Sequence, residues 1–138
     1  MKIQDILEIC LYVDDLAAAE TFYRDVMGLE VLSSEAGRHV FLRCGARMLL
    51  IFNAEETRKT EDIPAHGTDG VGHICFAAHA DELDTWEQHL QSHGVDIEHH
   101  ATWGNRGKSI YFRDPDGNSL EIATPRIWGI DESDVFRS

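Results

Sequence analysis

Cysteine, basic residues and long apolar runs are all scarce in this chain. The three cysteines, Cys10, Cys44 and Cys75, are odd in number and far apart, which argues against a disulfide scaffold. A reducing cytoplasm is therefore the expected compartment. No apolar run reaches the roughly 18–20 residues needed to cross a membrane. Acidic side chains interrupt the apolar positions of residues 1–16, so we expect no secretory signal there.

Positive charge is also in short supply. Against 12 Lys and Arg stand 25 Asp and Glu, which gives a formal net charge of −13. Such a field repels nucleic acid and anionic lipid, so neither is an expected partner. Most of the acidic side chains would serve solubility. Only the few that line a pocket could attract a cation such as a metal ion.

The chain contains an internal duplication. Residues 7–31 and 72–97 each begin with an apolar run that one polar residue interrupts at the same place, Glu8 in the first copy and His73 in the second. The alternation and the β-branched content of these runs predict strands. An acidic helix start and a terminal glycine then predict a helix in each copy.

Two hairpins follow the same plan. Residues 37–53 and 107–124 each read as strand, glycine-containing turn and strand. The predicted fold is α+β, with two tandem βαβββ modules in one domain spanning residues 1–138. The predicted parts are module one at about 3–53, a linker at 54–69, module two at about 70–124 and a C-terminal tail at 125–138. A repeat can be purely structural, so function must come from what differs between the copies.

Three polar residues interrupt apolar strands: Glu8, His73 and Glu121. A buried carboxylate needs a hydrogen bond, a cation or a metal beside it. Burying even a neutral polar group without a hydrogen bond costs roughly 2–7 kcal/mol, and burying an unpaired charge costs more. Exposure on the solvent face of a strand is the ordinary alternative for each of these side chains. The pattern alone leaves both readings open.

The stretches LYVDDLAAAETFYRDVMGLEV and YFRDPDGNSLEI resemble the two signature segments of the vicinal oxygen chelate superfamily, which contains glyoxalases, bleomycin resistance proteins and extradiol dioxygenases. The resemblance covers residues 3–124. It implies curved mixed sheets that form a metal-binding cup. It also implies metal ligands on the first strand of each module and the last strand of the second, at Glu8, His73 and Glu121. The resemblance does not distinguish among Zn, Mn, Mg, Fe and Ni.

This chain departs from the family pattern at two places. Many members carry His where this chain has Glu8, and glyoxalase I has a fourth ligand where this chain has only the apolar stretch 48–52. The three-ligand set looks more like fosfomycin-modifying thiol transferases, extradiol dioxygenases and methylmalonyl-CoA epimerase. Three protein ligands leave coordination positions open, which is typical of a catalytic site.

The resemblance implies a metal-dependent lyase, isomerase or thiol transferase, whose small substrate chelates the metal through neighbouring oxygens. One alternative is an extradiol-type dioxygenase that uses Fe(II) and oxygen. A second is a non-catalytic binding protein of the bleomycin-resistance kind. Tyr111 matches a pocket tyrosine of the thiol transferases, so we predict that it donates a hydrogen bond to substrate. Simple aromatic packing is the alternative for this residue.

Side chains outside the ligand set also suggest functions. Four basic residues could recognise an anion, or could be solvated strand ends: Arg38, His39, Arg106 and Lys108. The family resemblance implies a homodimer. The tail carries apolar residues that could clasp a partner: Ile127, Trp128, Ile130 and Phe136.

Overall fold

Each half of the chain folds into a four-stranded mixed sheet with a helix against one face. The structure is a computed structural model and describes residues 1–136. Contacts divide it into two units, residues 1–72 and the part of the chain from residue 73 onward. The prediction of an α+β fold with two βαβββ repeats is confirmed. No helix within the described residues is long and apolar enough to cross a membrane.

The first unit contains four strands and two short helices. Its elements are β1 (Glu8–Tyr12), α1 (Leu16–Thr21), a π-helical turn (Phe22–Val26), β2 (Glu30–Glu35), β3 (His39–Cys44), β4 (Arg47–Phe52) and α2 (Ala54–Thr57). The strand order is β1-β4-β3-β2. Strand β1 runs parallel to β4, and the other pairs are antiparallel.

The core of the first unit lies on one face of its sheet. Leu11, Leu42 and Ile51 alternate with residues of the opposite face and are buried, as are Ala19 and Tyr23 on the helical segment. The opposite face of β1 carries its even-numbered residues from Glu8 to Tyr12. This alternation keeps the polar positions of the strand out of the helix-packed core.

Residues 54–69, predicted as a linker, contribute to the first unit. Asn53 caps α2 by accepting hydrogen bonds from the backbone N–H groups of Glu55 and Glu56. Thr57 is fully buried. Farther along, the Nδ1 atom of His66 lies 2.5 Å from the hydroxyl oxygen of Tyr12. The segment therefore packs on β1 of the same unit.

The second unit repeats the plan of the first. Its elements are β5 (His73–Ala77), a 3-10 turn (Ala80–Glu82), α3 (Leu83–Ser92), β6 (His99–Thr102), β7 (Lys108–Arg113), β8 (Ser119–Ala123), a 3-10 turn (Pro125–Trp128) and α4 (Glu132–Val135). The order is β5-β8-β7-β6, with β5 parallel to β8. Its core contains Phe112, Leu120 and Ile122 from the sheet and Leu90 from α3, all almost fully buried.

The C-terminal tail folds back on its own unit. The Glu132 carboxylate lies 2.8 Å from the Nδ1 atom of His79 and accepts a hydrogen bond from the backbone N–H of Ala80. The ring of Phe136 lies 3.9 Å from the His79 ring, centroid to centroid. One imidazole thus joins the tail to the segment that follows β5.

This attachment is expected to depend on pH. The hydrogen bond to Glu132 raises the pKa of His79, and the same contact lowers the pKa of Glu132. On the alkaline side, the stabilisation from the His79–Glu132 contact is complete below the unfolded histidine pKa of about 6.5 and is lost as pH rises through the raised pKa of His79. On the acid side, this stabilisation is complete above the unfolded glutamate pKa of about 4.5 and is lost as pH falls through the lowered pKa of Glu132.

An NMR titration of the His79 ring should therefore give a pKa above 6.5. In the Glu132→Gln variant the pKa should fall back toward that reference, because glutamine offers no negative charge. The neighbouring acids Asp81 and Glu82 also raise the pKa of His79 and remain in both proteins. Identical titrations in the two proteins would show that the contact does not form in solution.

Candidate metal centre

One face of the second sheet carries a row of polar and nucleophilic side chains. In the strand register, Cys75 on β5 stands opposite Glu121 on β8, and Glu121 stands opposite Tyr111 on β7. His73 lies two residues before Cys75 and so projects from the same face. The predicted ligands His73 and Glu121 therefore lie on the same face of one sheet, within a single unit.

His73 and Glu121 do come together. The Nε2 atom of His73 lies 3.3 Å from Oε1 of Glu121. The other ring nitrogen, Nδ1, lies 3.0 Å from the carbonyl oxygen of Ser119. A carbonyl can only accept a hydrogen bond, so Nδ1 carries the proton in this contact. In the neutral imidazole, Nε2 then directs its lone pair toward the carboxylate.

This geometry suits a cation. A lone pair and a carboxylate oxygen 3.3 Å apart repel each other unless a proton or a metal ion lies between or beside them. A backbone carbonyl that fixes the tautomer of a ligating histidine is a recurrent feature of metal sites. Imidazole nitrogen and carboxylate oxygen are ligands for Zn²⁺, Mn²⁺ and Fe²⁺. The pair therefore fits a divalent metal.

The two members of the pair differ in exposure. The Glu121 side chain is only 8% exposed, whereas that of His73 is 50% exposed. A buried carboxylate is costly without a compensating charge, and the open imidazole beside it leaves a path to solvent. The site thus combines a buried carboxylate with a solvent-accessible imidazole.

Tyr111 and Cys75 flank the Glu121 carboxylate. Burial raises the pKa of the Tyr111 hydroxyl, Ser109 acts in the opposite direction, and the Glu121 charge raises it further. Surrounding atoms desolvate the Cys75 thiol, and Glu121 adds to the effect, so its pKa is raised to about 12 although the residue as a whole is exposed. Both side chains therefore lie close enough to sense this charge.

Two further residues join this face. The indole Nε1–H of Trp103 donates a 2.9 Å hydrogen bond to the hydroxyl of Ser109. Ser109 is almost fully buried and lies two residues before Tyr111, so it shares the Tyr111 face of β7. The sequence analysis did not identify this Trp103–Ser109 pair. Strand alternation could have placed Ser109 beside Tyr111, whereas the indole contact had no sequence signal.

The corresponding face of the first sheet is mostly apolar. Register pairing sets Glu8 opposite Met48 and Cys10 opposite Leu50. In the second unit the same offsets pair His73 with Ser119 and Cys75 with Glu121. Leu50 therefore occupies the position that Glu121 holds in the other repeat, and this strand supplies no further carboxylate ligand.

Glu8 is exposed in the first unit and forms no ion pair with any residue of 1–136. Burial pushes the pKa of the neighbouring Cys10 thiol upward, and the Glu8 charge adds to that shift. Within the described part of the chain, no three His, Cys, Asp or Glu side chains are grouped so that they could hold a metal ion. The place of Glu8 in a ligand set with His73 and Glu121 stays a prediction.

The basic side chains proposed for anion recognition have different surroundings. Arg38 contacts His39, with 2.6 Å between its Nη1 atom and the ring Nδ1 atom, and its guanidinium carbon lies 5.6 Å from the centre of the Phe52 ring. Burial, and then the Arg38 charge, lower the pKa of His39. This pair is therefore engaged with its own unit. Arg106 borders a pocket in the second unit.

Comparison with known proteins places this chain in a family. Residues 5–122 match the model of the Glyoxalase/Bleomycin resistance protein/Dioxygenase superfamily. The matched range contains all three predicted ligands: Glu8, His73 and Glu121. A solved lactoylglutathione lyase from Agrobacterium tumefaciens is 42% identical, with a TM-score of 0.91 and coverage of 94% of this chain and 100% of that one.

Characterised relatives include two transferases. A metallothiol transferase FosB from Bacillus licheniformis is 31% identical over 92% of this chain and 79% of its own length. A glutathione transferase FosA from Serratia marcescens is 28% identical over 87% of this chain and 80% of its own length. The prediction of an enzyme of glyoxalase-like type is confirmed by these relatives. The chain belongs to the Glyoxalase/Bleomycin resistance protein/Dioxygenase superfamily.

Proposed function

We propose that this protein is a divalent-metal-dependent thiol transferase. It would join a thiol to a small molecule that chelates the metal through two neighbouring oxygens. The observation that carries the proposal is the His73–Glu121 pair, with Nε2 and Oε1 3.3 Å apart and the tautomer held by Ser119. The relatives support the thiol, since their names describe a metallothiol transferase, a glutathione transferase and a lactoylglutathione lyase.

The proposed ligands are Glu8, His73 and Glu121. Three protein ligands leave coordination positions for substrate, as catalytic sites require. Two carboxylates and one imidazole form a relatively hard set, which suits Mn²⁺, Mg²⁺, Fe²⁺ or Zn²⁺. A bound metal would act as a Lewis acid on the chelating oxygens.

The protein's own groups would position the reactants. Ser119 orients the His73 ring through its backbone carbonyl. We propose that Tyr111 donates a hydrogen bond to a substrate oxygen, because its side chain lies on the Glu121 face of β7. In the transfer a sulfur–carbon bond forms and a carbon–oxygen bond breaks, with its electron pair staying on oxygen. That oxygen takes up a proton in place of the one lost from the thiol.

A glutathione-dependent lyase is the second candidate. Its support is the 42% identity and the TM-score of 0.91 to a lactoylglutathione lyase. The apolar Leu50 at the position equivalent to Glu121 favours the transferase, because glyoxalase I has a fourth ligand on this strand. The two candidates share the metal and the thiol and differ in the electrophile.

We propose further that the two units form one domain and that the protein is a cytoplasmic homodimer. The family match runs through both units without a break. The first unit exposes several apolar side chains at its N-terminal end: Ile3, Ile6 and Leu7, at 87%, 62% and 73% exposure. Exposed apolar clusters commonly mark interaction surfaces. Size-exclusion chromatography with light scattering tests the homodimer, and a monomer at high concentration would refute it.

Metal analysis and an assay panel test the proposed reaction. Protein purified without chelator should contain close to one divalent metal per chain. Incubation of the metal-loaded protein with fosfomycin and a thiol should give the adduct, detected by mass spectrometry. Turnover of the methylglyoxal–glutathione adduct alone would select the lyase. Turnover of catechols with iron and oxygen would replace both candidates with a dioxygenase.

A further inference from the structure

Two histidines lie one turn apart at the C-terminal end of α3. His89 is in the last turn of the helix, and His93 is the residue that caps it. Their ring centres are 4.5 Å apart, and the ring planes are tilted by 49° to each other. Residues four apart on a helix are neighbours on one face, and two histidines at this spacing are a known zinc-binding arrangement. We refer to these two residues as the α3 histidine pair.

The separation of the two rings fits ligation of one ion. An imidazole nitrogen binds Zn²⁺ at about 2.0–2.1 Å, so two imidazoles on neighbouring positions of one ion have ring centres about 4.5–5 Å apart. The 4.5 Å between the rings of His89 and His93 lies within this range. Aromatic rings that merely pack together cover similar distances. The direction of the nitrogen lone pairs therefore has to carry the argument further.

The hydrogen bonds of His93 leave one of its ring nitrogens for a cation. Its Nδ1 atom lies 2.9 Å from the carbonyl oxygen of His89 and 3.2 Å from the hydroxyl oxygen of Ser92. A carbonyl only accepts, so Nδ1 carries the proton and Nε2 of the neutral ring has the lone pair. His73 is held in the same way by the carbonyl of Ser119. A backbone carbonyl that fixes the tautomer is typical of ligating histidines.

The surroundings of the pair hold one ring in place and attract positive charge. His89 is half-buried, and the Trp86 ring packs edge-on against it with 5.5 Å between the ring centres. A ring that is already ordered loses less conformational entropy when it binds an ion. The C-terminal end of a helix carries partial negative charge. The formal net charge of −13 adds a long-range attraction for cations.

We propose that the α3 histidine pair is a second metal site, which takes Ni²⁺, Cu²⁺ or Zn²⁺. Two neutral imidazoles suit these ions, whereas Mg²⁺ prefers oxygen ligands. The pair offers two protein ligands, and water can fill the other positions because His93 is exposed. Two protein ligands hold an ion less tightly than three, so this site should empty on dialysis. The inference does not depend on thiol transfer or on the metal at His73 and Glu121.

Calorimetric titration of the full-length protein with Ni²⁺ tests the second site. The His89→Gln/His93→Gln variant should bind one Ni²⁺ fewer per chain, or bind it at least about tenfold more weakly, because chelation by two tethered ligands is lost. The matched control, His99→Gln/His100→Gln, removes two imidazoles from β6, where successive side chains project from opposite faces and cannot chelate together. The control should bind Ni²⁺ like wild type. Titration with Mg²⁺ should not distinguish the three proteins.

Histidine NMR signals locate the ion. Ni²⁺ is paramagnetic, so the ring signals of His89 and His93 should broaden together and at lower Ni²⁺ concentration than those of His99 and His100. Circular dichroism checks that each variant folds. The His93→Gln single variant leaves His89 packed on Trp86 and should also lose the second Ni²⁺, so the site can be tested even if the double variant does not fold.

Three results would overturn the proposal. Equal Ni²⁺ binding by wild type and both variants of the pair would leave the contact between His93 and His89 as a helix cap alone. Equal affinity for Mg²⁺ and Ni²⁺ would replace imidazole ligation by general electrostatic attraction. Weak binding that falls equally in the His99/His100 control would mean an adventitious ion only. A Glu121→Gln protein should keep the second Ni²⁺, so failure of the candidate metal centre and failure of this site give different results.

Discussion

Replacing Glu121 by glutamine is expected to lower metal affinity by more than about 100-fold, because loss of outer-shell partners alone costs about 10–100-fold. Glu121 is the buried member of the pair, and its charge is the main compensation available to a cation beside His73. The amide keeps the shape but presents a neutral group. Metal content after dialysis and the Kd from calorimetry measure the loss, and activity should fall with occupancy.

A matched control separates this effect from a change in net charge. Glu82→Gln removes one carboxylate from an exposed 3-10 turn of the same unit and should retain the metal. Thermal unfolding should show that Glu121→Gln still folds, because glutamine can accept a hydrogen bond at the same position. Full metal retention by a folded Glu121→Gln protein would reduce the His73–Glu121 contact to an ordinary ion pair and would remove the basis of the proposed function.

The repeat and its strands could be predicted because their signals are local. Alternation with a period of two places His73 and Cys75 on one face, and the same rule places Tyr111 and Ser109 together. The run from Asp114 to Gly117 predicts a tight turn, which the structure contains. Polar residues in apolar strands then stand out as candidates for chemistry.

The contacts that build the site are not local, so strand periodicity alone could not predict them, and the approach of His73 to Glu121 was expected only from the family resemblance. His73 meets Glu121 because β5 pairs in parallel with β8, which brings together residues 46 positions apart, such as His73 and Ser119. The hydrogen bond from Trp103 to Ser109 depends on how one turn folds over the sheet. The predicted linker contains helix α2, which the sequence analysis did not identify, although Asn53 with two acidic residues in the turn after it is a typical helix start.

Asp114→Ala is expected to destabilise the protein by about 3 kcal/mol or more, because it leaves two buried donors and one partly buried donor without acceptors, each costing about 1–3 kcal/mol. Asp114 is 5% exposed. Its Oδ1 atom accepts hydrogen bonds from the backbone N–H groups of Asp116 and Asn118, and its Oδ2 atom accepts one from the Asn118 side chain. Urea unfolding followed by circular dichroism gives the free-energy difference.

Asp114→Asn provides the graded comparison. Its amide oxygen can still accept from the two backbone groups, but its NH₂ would face the NH₂ of Asn118, so the loss should be smaller than for alanine. The turn joins β7, which carries Tyr111, to β8, which carries Glu121. Loosening it should therefore weaken metal binding in proportion to the loss of stability. A loss below about 1 kcal/mol for alanine would mean that water replaces the carboxylate, and that the turn does not hold the two strands in register.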